Sequence, residues 1–328
     1  MSKGDAEPGR FDEEDFDATV PAEIIGRSPG QLFWRRFRKD RWAIGGMIYV
    51  GLVLTLAIIA PVFAKLVGHP YDAQYIFEMT TEGGVPLGPQ FHNEAGTFLF
   101  GADLAAHDLF VRVLYGARTS LRIALGATVL EVALGLFAGI LAGFYRGKVD
   151  TFISRTCDVF YSLPTLLLII GLVSACAIGG CLGNVIRPGA LLVALVIGLF
   201  GWPYLARIIR GQVLSIREKE FVEAARSLGA GNMRIMFREI LPNVLSATIV
   251  YTTLLIPINI LVEAGLSFLG VGVSPTTPSW GAMISQATGI YRIAWWTMVF
   301  PGLFLLSTTL AFNLVGDGLR DAFDPRMS

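Results

Sequence analysis

Residues 215–242 read SIREKEFVEAARSLGAGNMRIMFREILP, a charged stretch that lies between two long apolar runs of the chain. Ser215 and Glu218 have the spacing of a capping box, in which both side chains satisfy free backbone N–H groups at a helix start. Gly229 lacks a Cβ atom and therefore suits the left-handed residue that ends a helix. The pattern predicts two short amphipathic helices that meet at Gly229, and Leu241-Pro242 is expected to end the second one.

The apolar residues of these two helices recur at helical spacing. They are Phe221, Ala225 and Leu228 in the first helix and Met233, Met236, Phe237 and Ile240 in the second. Such a helix pair can lie on a lipid surface or dock on another protein. The spacing by itself leaves both alternatives open.

Outside this stretch the chain has the composition of a membrane protein. Of its 328 residues, 53% are apolar and only 16% are charged, against about 25% charged residues in an ordinary soluble domain. Six continuous apolar runs are each long enough to cross a bilayer core of about 30 Å, and none alternates as a barrel strand would. The runs are 43–64, 119–143, 160–180, 189–209, 245–270 and 295–316. The sequence therefore predicts an all-α membrane protein with six transmembrane helices.

The basic residues predict the orientation. Most of the 26 lysines and arginines fall on the inner side if the N-terminus is cytoplasmic, as the positive-inside rule requires. Both termini are then inside. The predicted divisions are a tail 1–42, a first span 43–64, a long extracytoplasmic loop 65–118, and a core 119–328 with five spans and the inner loop 215–243.

The segment Phe33–Trp42 mixes aromatic and basic residues directly before the first span. This composition is typical of an interfacial helix, with cations at lipid headgroups and rings at the membrane boundary. Because it adjoins a span, the predicted partner of this segment is lipid rather than nucleic acid.

The sequence contains no motif for catalysis or for ATP binding. Residues 143–149 resemble a phosphate loop, but the two glycines are too close together and Val149 stands where Ser or Thr is needed. His69, His92 and His107 fall in one loop without the spacing of metal ligands. We therefore predict a passive subunit that is not an enzyme and has no cofactor or metal, with the three histidines solvated.

Two acidic residues interrupt the apolar runs. A charge at mid-membrane costs on the order of 3 kcal/mol, so it normally faces protein or water. Glu131 and Glu263 are therefore candidates for lining a translocation pathway. Protonation, or a hydrogen bond to a neighbouring helix, would accommodate either carboxyl group equally well.

Cys176 and Cys181 lie near the predicted outer end of the third span. An oxidising exterior and the two intervening glycines would permit a disulfide between them. Two free thiols, packed as small apolar side chains, are the alternative.

The glycines at 135, 139 and 143 recur at every fourth position of the second predicted span. Small residues at this spacing let two helices approach closely. They predict helix packing within one subunit, or else a seam that faces the pore or a second subunit.

The inner loop resembles a known signature. Glu223-Ala224-Ala225, then Gly229, then Leu241-Pro242 are similar to the "EAA" loop of ABC importer permeases. In that family the loop forms a coupling helix that docks into a groove on the ATPase subunit. Glu239 departs from the usual apolar residue or His.

Further stretches resemble the dipeptide/oligopeptide (DppC/OppC-type) branch of these permeases. They are Leu114–Leu121, Asp158 with Pro164–Leu168, Glu263–Gly270 and Pro278–Gly281. The outer-loop motif of that branch usually contains Gly-Arg before its second Asp, whereas Ala106-His107 precedes Asp108 here.

The resemblance implies a type I importer permease fold in a bacterial inner membrane. It also implies four kinds of partner: a homologous permease that completes a heterodimer, two ATPase subunits that bind ATP-Mg, an extracytoplasmic binding protein, and a peptide cargo. Nickel uptake is the alternative within the family. Outside it, a membrane-embedded enzyme would need paired catalytic groups, and an exporter or scaffold would not need the Glu-Ala-Ala loop.

Overall fold

The computed structural model describes residues 29–89, 91–93, 96–179, 189–274 and 276–323 of the chain. Within these ranges the regular elements are helices, apart from one short antiparallel hairpin. In chain order the elements are α1 (Pro29–Phe37), α2 (Arg41–Val67), α3 (Ile76–Met79), β1 (Phe91–Asn93), β2 (Gly96–Phe98), α4 (Leu109–Tyr145), α5 (Gly147–Ser162), α6 (Thr165–Gly179), α7 (Ala190–Arg217), α8 (Glu220–Ser227), α9 (Asn232–Arg234), a π-helical stretch (Ile235–Ile240), α10 (Leu241–Phe268), α11 (Trp280–Ala287) and α12 (Trp296–Phe323).

The helical membrane architecture predicted from composition is confirmed. Five helices of the described chain are long and apolar enough to cross a bilayer, and the bent pair α5–α6 makes up to six. The two members of this pair meet at 82°. Leu163 is extended there because the ring of Pro164 disfavours a helical residue before it. The third predicted span, 160–180, is therefore not one straight helix.

The core of the bundle is the contact between α4 and α7. A Cβ atom on Gly139 would lie 2.7 Å from the Ala206 carbonyl oxygen and from Ile209 Cβ. Gly135 and Gly143 meet α7 in the same way, at Leu205 and Val213. The glycine stripe therefore packs two helices of one subunit, which is the first of the two alternatives drawn from its spacing.

The bundle has two ends, which we call the hairpin end and the α8 end. At the hairpin end, Trp296 Nε1 at the start of α12 donates to the Ala102 carbonyl, 3.1 Å away. At the α8 end, Arg217 donates to the Phe144 carbonyl. α1 packs there on the end of α12, where the ring centroids of Phe33 and Phe323 are 4.5 Å apart.

The helix of the second apolar run starts earlier than that run predicts. α4 begins at Leu109 rather than 119, because Asp108 caps it by accepting from the Phe110 and Val111 N–H groups at 2.9 and 3.3 Å. The loop after α2 thus ends at residue 108 rather than 118. A hydropathy window misses these first turns because Arg112 and Arg118 lie in them.

The predicted stop at Leu241-Pro242 is wrong. α9, the π-helical stretch and α10 form one helical run from Asn232 to Phe268. Pro242 stands in the first turn of α10, directly after the π-helical stretch. Pro242 has no backbone N–H to bond back to the preceding turn, and the change from π-helical to α-helical hydrogen bonding falls directly before it.

Candidate functional site

The loop that carries the Glu-Ala-Ala signature begins differently from the prediction. Ser215 lies in the last turn of α7, and α8 is preceded by Lys219, which forms no side-chain capping bond. The predicted capping box is therefore absent at α8. Regular helix continues through Ser215 because Ile216 and Val213 on the same helix are buried in the core.

The apolar face predicted for α8 is also wrong. Val222 is fully buried and packs with a cluster that includes Val213 and Ile235, whereas Phe221 is exposed and Leu228 is 88% exposed. One inward position is enough to hold so short a helix against the bundle. The remaining apolar side chains of α8 are left at the surface.

Gly229 forms the left-handed turn that the sequence predicts. Its φ is +81°, its N–H donates to the Arg226 carbonyl at 3.0 Å, and the N–H of Ala230 donates to Ala225 at 3.0 Å. A Cβ atom built on Gly229 would meet nothing within 4 Å. Glycine is therefore required here for backbone conformation and not for space.

The surface around this turn is open. Glu223 and Ala224 are exposed beside Leu228, and Ala225 is half-buried. Exposed apolar groups next to a carboxylate are typical of a protein-binding surface. At the other end of the signature, Leu241 is half-buried and Pro242 is exposed, both at the start of α10.

Two arginines connect this loop to the junction between α4 and α5. Arg217 donates to the Phe144 carbonyl, and Arg146 forms an ion pair with Glu218. Sequence reasoning missed both contacts, because the paired residues are far apart in the chain. They tie the base of the loop to α4 and to the α4–α5 junction, so a displacement of α8 would be transmitted to the bundle.

The two acidic residues of the apolar runs are enclosed in the subunit. Glu131 accepts from Asn259 Nδ2 on α10 at 3.1 Å, and this amide also donates to Thr128 Oγ1 at 2.9 Å. Glu263 Oε1 accepts from Ser267 Oγ at 2.7 Å. Both carboxyl groups are buried. For Glu131 the structure therefore corresponds to the alternative of a hydrogen bond to a neighbouring helix.

The prediction of solvated histidines is wrong for two of the three. His69 is buried, and its Nδ1 lies 2.7 Å from Asp108 Oδ2. His107 lies 3.0 Å from Asp103, which also pairs with Arg112 at 3.0 Å. The side chain of His92 lies outside the described residues. Folding of the loop onto α2 and α4 buries groups whose spacing in the sequence suggests no contact.

The pKa values of the two carboxyl groups in this cluster shift in opposite directions. Burial acts to raise the pKa of Asp103, but the hydrogen bond from His107 and the charge of Arg112 outweigh it and hold that pKa below its usual range. Burial raises the pKa of Asp108 in spite of its hydrogen bond with His69. Within the described ranges no group of three His, Cys, Asp or Glu residues could hold a metal ion.

One cysteine of the predicted pair is described. Cys176 is disulfide-bonded, whereas Cys157 is free and buried. Cys181 lies outside the described residues.

Comparison with known proteins places this geometry among transporters. Residues 135–328 match the family described as the binding-protein-dependent transport system inner membrane component. Residues 28–81 match the N-terminal TM domain of oligopeptide transport permease C.

Among individual relatives, the chain is 40% identical over 301 residues to the glutathione transport system permease protein GsiD of Escherichia coli O6:K15:H31 (strain 536 / UPEC). It is equally similar to GsiD of Shigella boydii serotype 4 (strain Sb227). Each alignment covers 92% of this chain and 92% of the relative.

The fold resembles that of a solved transporter. Two crystal forms of the inward-facing MetNI methionine ABC transporter, named CY5 SeMet soak and CY5 native, match with TM-scores of 0.53 and 0.54. Their sequence identities to this chain are 20% and 21%, and each match covers 65% of this chain and 96% or 97% of the other. At this identity the likeness establishes the fold alone, a type I importer permease bundle.

Proposed function

This chain belongs to the family of binding-protein-dependent transport inner membrane components, and on that premise we propose that its α8 loop is the contact through which a separate ATPase drives transport. The chain is an ABC importer permease, and its helices form part of the translocation path. The observation that carries the proposal is the exposed tip around Gly229, which includes Leu228 and Glu223. ATP-Mg would be bound by the ATPase partners and not by this chain.

The proposed orientation places the α8 end in the cytoplasm. Arg217, Lys219 and Arg226 lie on or beside α8, and α1 brings further arginines to the same end. An excess of basic residues marks the cytoplasmic side. The hairpin end, with its buried ionic cluster, would then face the binding protein outside.

The proposed cargo is a short peptide. The relatives are named for glutathione transport, and glutathione is itself a tripeptide. The oligopeptide permease match of residues 28–81 supports the same class. A homologous permease would complete the path as a heterodimer, and two ATPases and an extracytoplasmic binding protein would complete the importer.

Truncation of the exposed leucine tests the coupling contact. Leu228→Ala removes apolar surface that docking would bury, at about 0.8 kcal/mol per methylene. We expect ATPase affinity to fall at least tenfold, because burial of the three lost carbons is worth up to about 2.4 kcal/mol. The measurement is titration of the purified ATPase onto the full-length permease pair in nanodiscs.

Leu104→Ala is the matched control, because Leu104 is an exposed leucine at the hairpin end. It should leave ATPase affinity unchanged. Equal affinities for the Leu228 variant and the control would contradict docking through this tip.

Single cysteines test the orientation. In a background without native cysteines, a cysteine at Thr277, which is exposed towards the hairpin end, should react with a membrane-impermeant thiol reagent in intact cells. A cysteine at Ser227, exposed on α8, should react only after the membrane is opened. The reverse pattern would overturn the orientation.

A further inference from the structure

Two apolar grooves run along α4 towards the α8 end and share one ridge, formed by Phe137 and Leu141. The first groove has a volume of about 210 Å³ and is closed on its other side by Met233 and Phe237. The second has a volume of about 500 Å³ and is bounded by α5, where Phe152 lies. The first groove shares Leu241 with the Glu-Ala-Ala signature, whereas the second groove contains no residue of that loop.

The grooves open to the surface of the described subunit. Phe137 on the shared ridge is 66% exposed and Phe152 is 74% exposed. An apolar surface of this kind on a membrane-spanning helix is stable only against another apolar body. The occupant must therefore be lipid or another membrane protein.

The depth of the grooves matches one leaflet. The first groove extends along α4 from Ala133 to Leu141, which is about 12 Å at a rise of 1.5 Å per residue. Half of a bilayer core is about 15 Å thick. An acyl chain laid along α4 from the membrane boundary would therefore fill a groove without crossing the bilayer midplane.

A lysine stands at the boundary end of the second groove. Lys148 is exposed, follows the end of α4 and lines this groove. Among the described residues it has no ion-pair partner. A lysine at the rim of an apolar groove complements a lipid phosphate, and a net negative headgroup most of all.

We propose that this surface binds an anionic phospholipid, with one acyl chain on each side of the Phe137–Leu141 ridge and the headgroup phosphate on Lys148. Two grooves beside one ridge match the two chains of a diacyl lipid. Lipid binding is measured on the permease chain without the ATPase, so either proposal can fail without the other.

Native mass spectrometry of the purified full-length chain tests this. The protein is titrated with phosphatidylglycerol or with phosphatidylcholine of the same acyl chains. Lys148→Gln should lower phosphatidylglycerol binding about fivefold, the effect of one lysine near a charged membrane surface, and should leave phosphatidylcholine binding nearly unchanged. Ala138→Trp, which fills the second groove, should lower the binding of both lipids.

Lys65→Gln is the matched control, because Lys65 is an exposed lysine in the last turn of α2, at the hairpin end. An equal loss of phosphatidylglycerol binding in the two lysine variants would mean that any exposed lysine attracts the anionic lipid, and it would overturn the site. Unchanged binding by Lys148→Gln would also overturn it. So would efficient cross-linking of a cysteine at position 137 to the second permease in native membranes, because the ridge would then be a subunit interface.

Discussion

Gly229→Val is expected to leave the chain folded and inserted but to reduce ATP-driven uptake below detection. The residue has φ +81°, where an L-residue with a Cβ is strained by about 1–2 kcal/mol and a β-branched one is a marked outlier. The turn will open rather than carry this strain. α8 then loses its position, so the whole docking tip is displaced and not a single side chain.

The measurement is co-purification of the ATPase, together with ATP hydrolysis stimulated by the binding protein in reconstituted vesicles. Gly231→Val is the matched control. Gly231 has an ordinary φ of −70°, and its added Cβ, like that of Gly229, meets nothing within 4 Å. The control should retain both activities. Full stimulation and transport by the Gly229 variant would show that this loop is not the coupling element.

Gly139→Ala is expected to destabilise the whole subunit. The added Cβ would lie 2.7 Å from the Ala206 carbonyl oxygen, so the backbones of α4 and α7 must move apart. Overpacking of this kind costs about 1–3 kcal/mol, which exceeds the gain of up to about 1 kcal/mol from replacing a helical glycine. Thermal unfolding in detergent, followed by tryptophan fluorescence, should show a lower midpoint, and the yield from membranes should fall.

Gly126→Ala separates packing from helix propensity. Gly126 lies on the same helix and also faces α7, but its added Cβ would lie 3.4 Å from Ala194 Cβ, an ordinary contact. The thermal unfolding midpoint of the Gly126→Ala variant should stay the same or rise. A Gly139 variant as stable as the Gly126 variant would contradict the close approach of α4 and α7.

Contacts between residues that are far apart in the chain could not be predicted from the sequence. His69 and Asp108 are far apart in the chain, yet their side chains meet because the loop folds back onto the end of α2. Arg217 and the Phe144 carbonyl meet in the same way at the other end. Solvation was expected for the histidines because spacing carries no information about such partners.

The sequence by itself determined the elements that depend on local chemistry. A bilayer demands long apolar helices, so composition was enough for the membrane bundle. Gly229 was predictable because only a residue without a Cβ takes a left-handed turn at no cost. The glycines at 135, 139 and 143 indicated a close helix contact through spacing alone.

Only the tertiary structure decided which faces are covered. Val222 is buried while Leu228 is exposed, because the neighbouring core, and not the periodicity of α8, selects the side that packs. The π-helical stretch carries the chain past Pro242 without a break, since contacts with α7 and α8 hold the helix before it. A sequence pattern records which side chains prefer burial, but burial itself depends on the surfaces that the rest of the chain supplies.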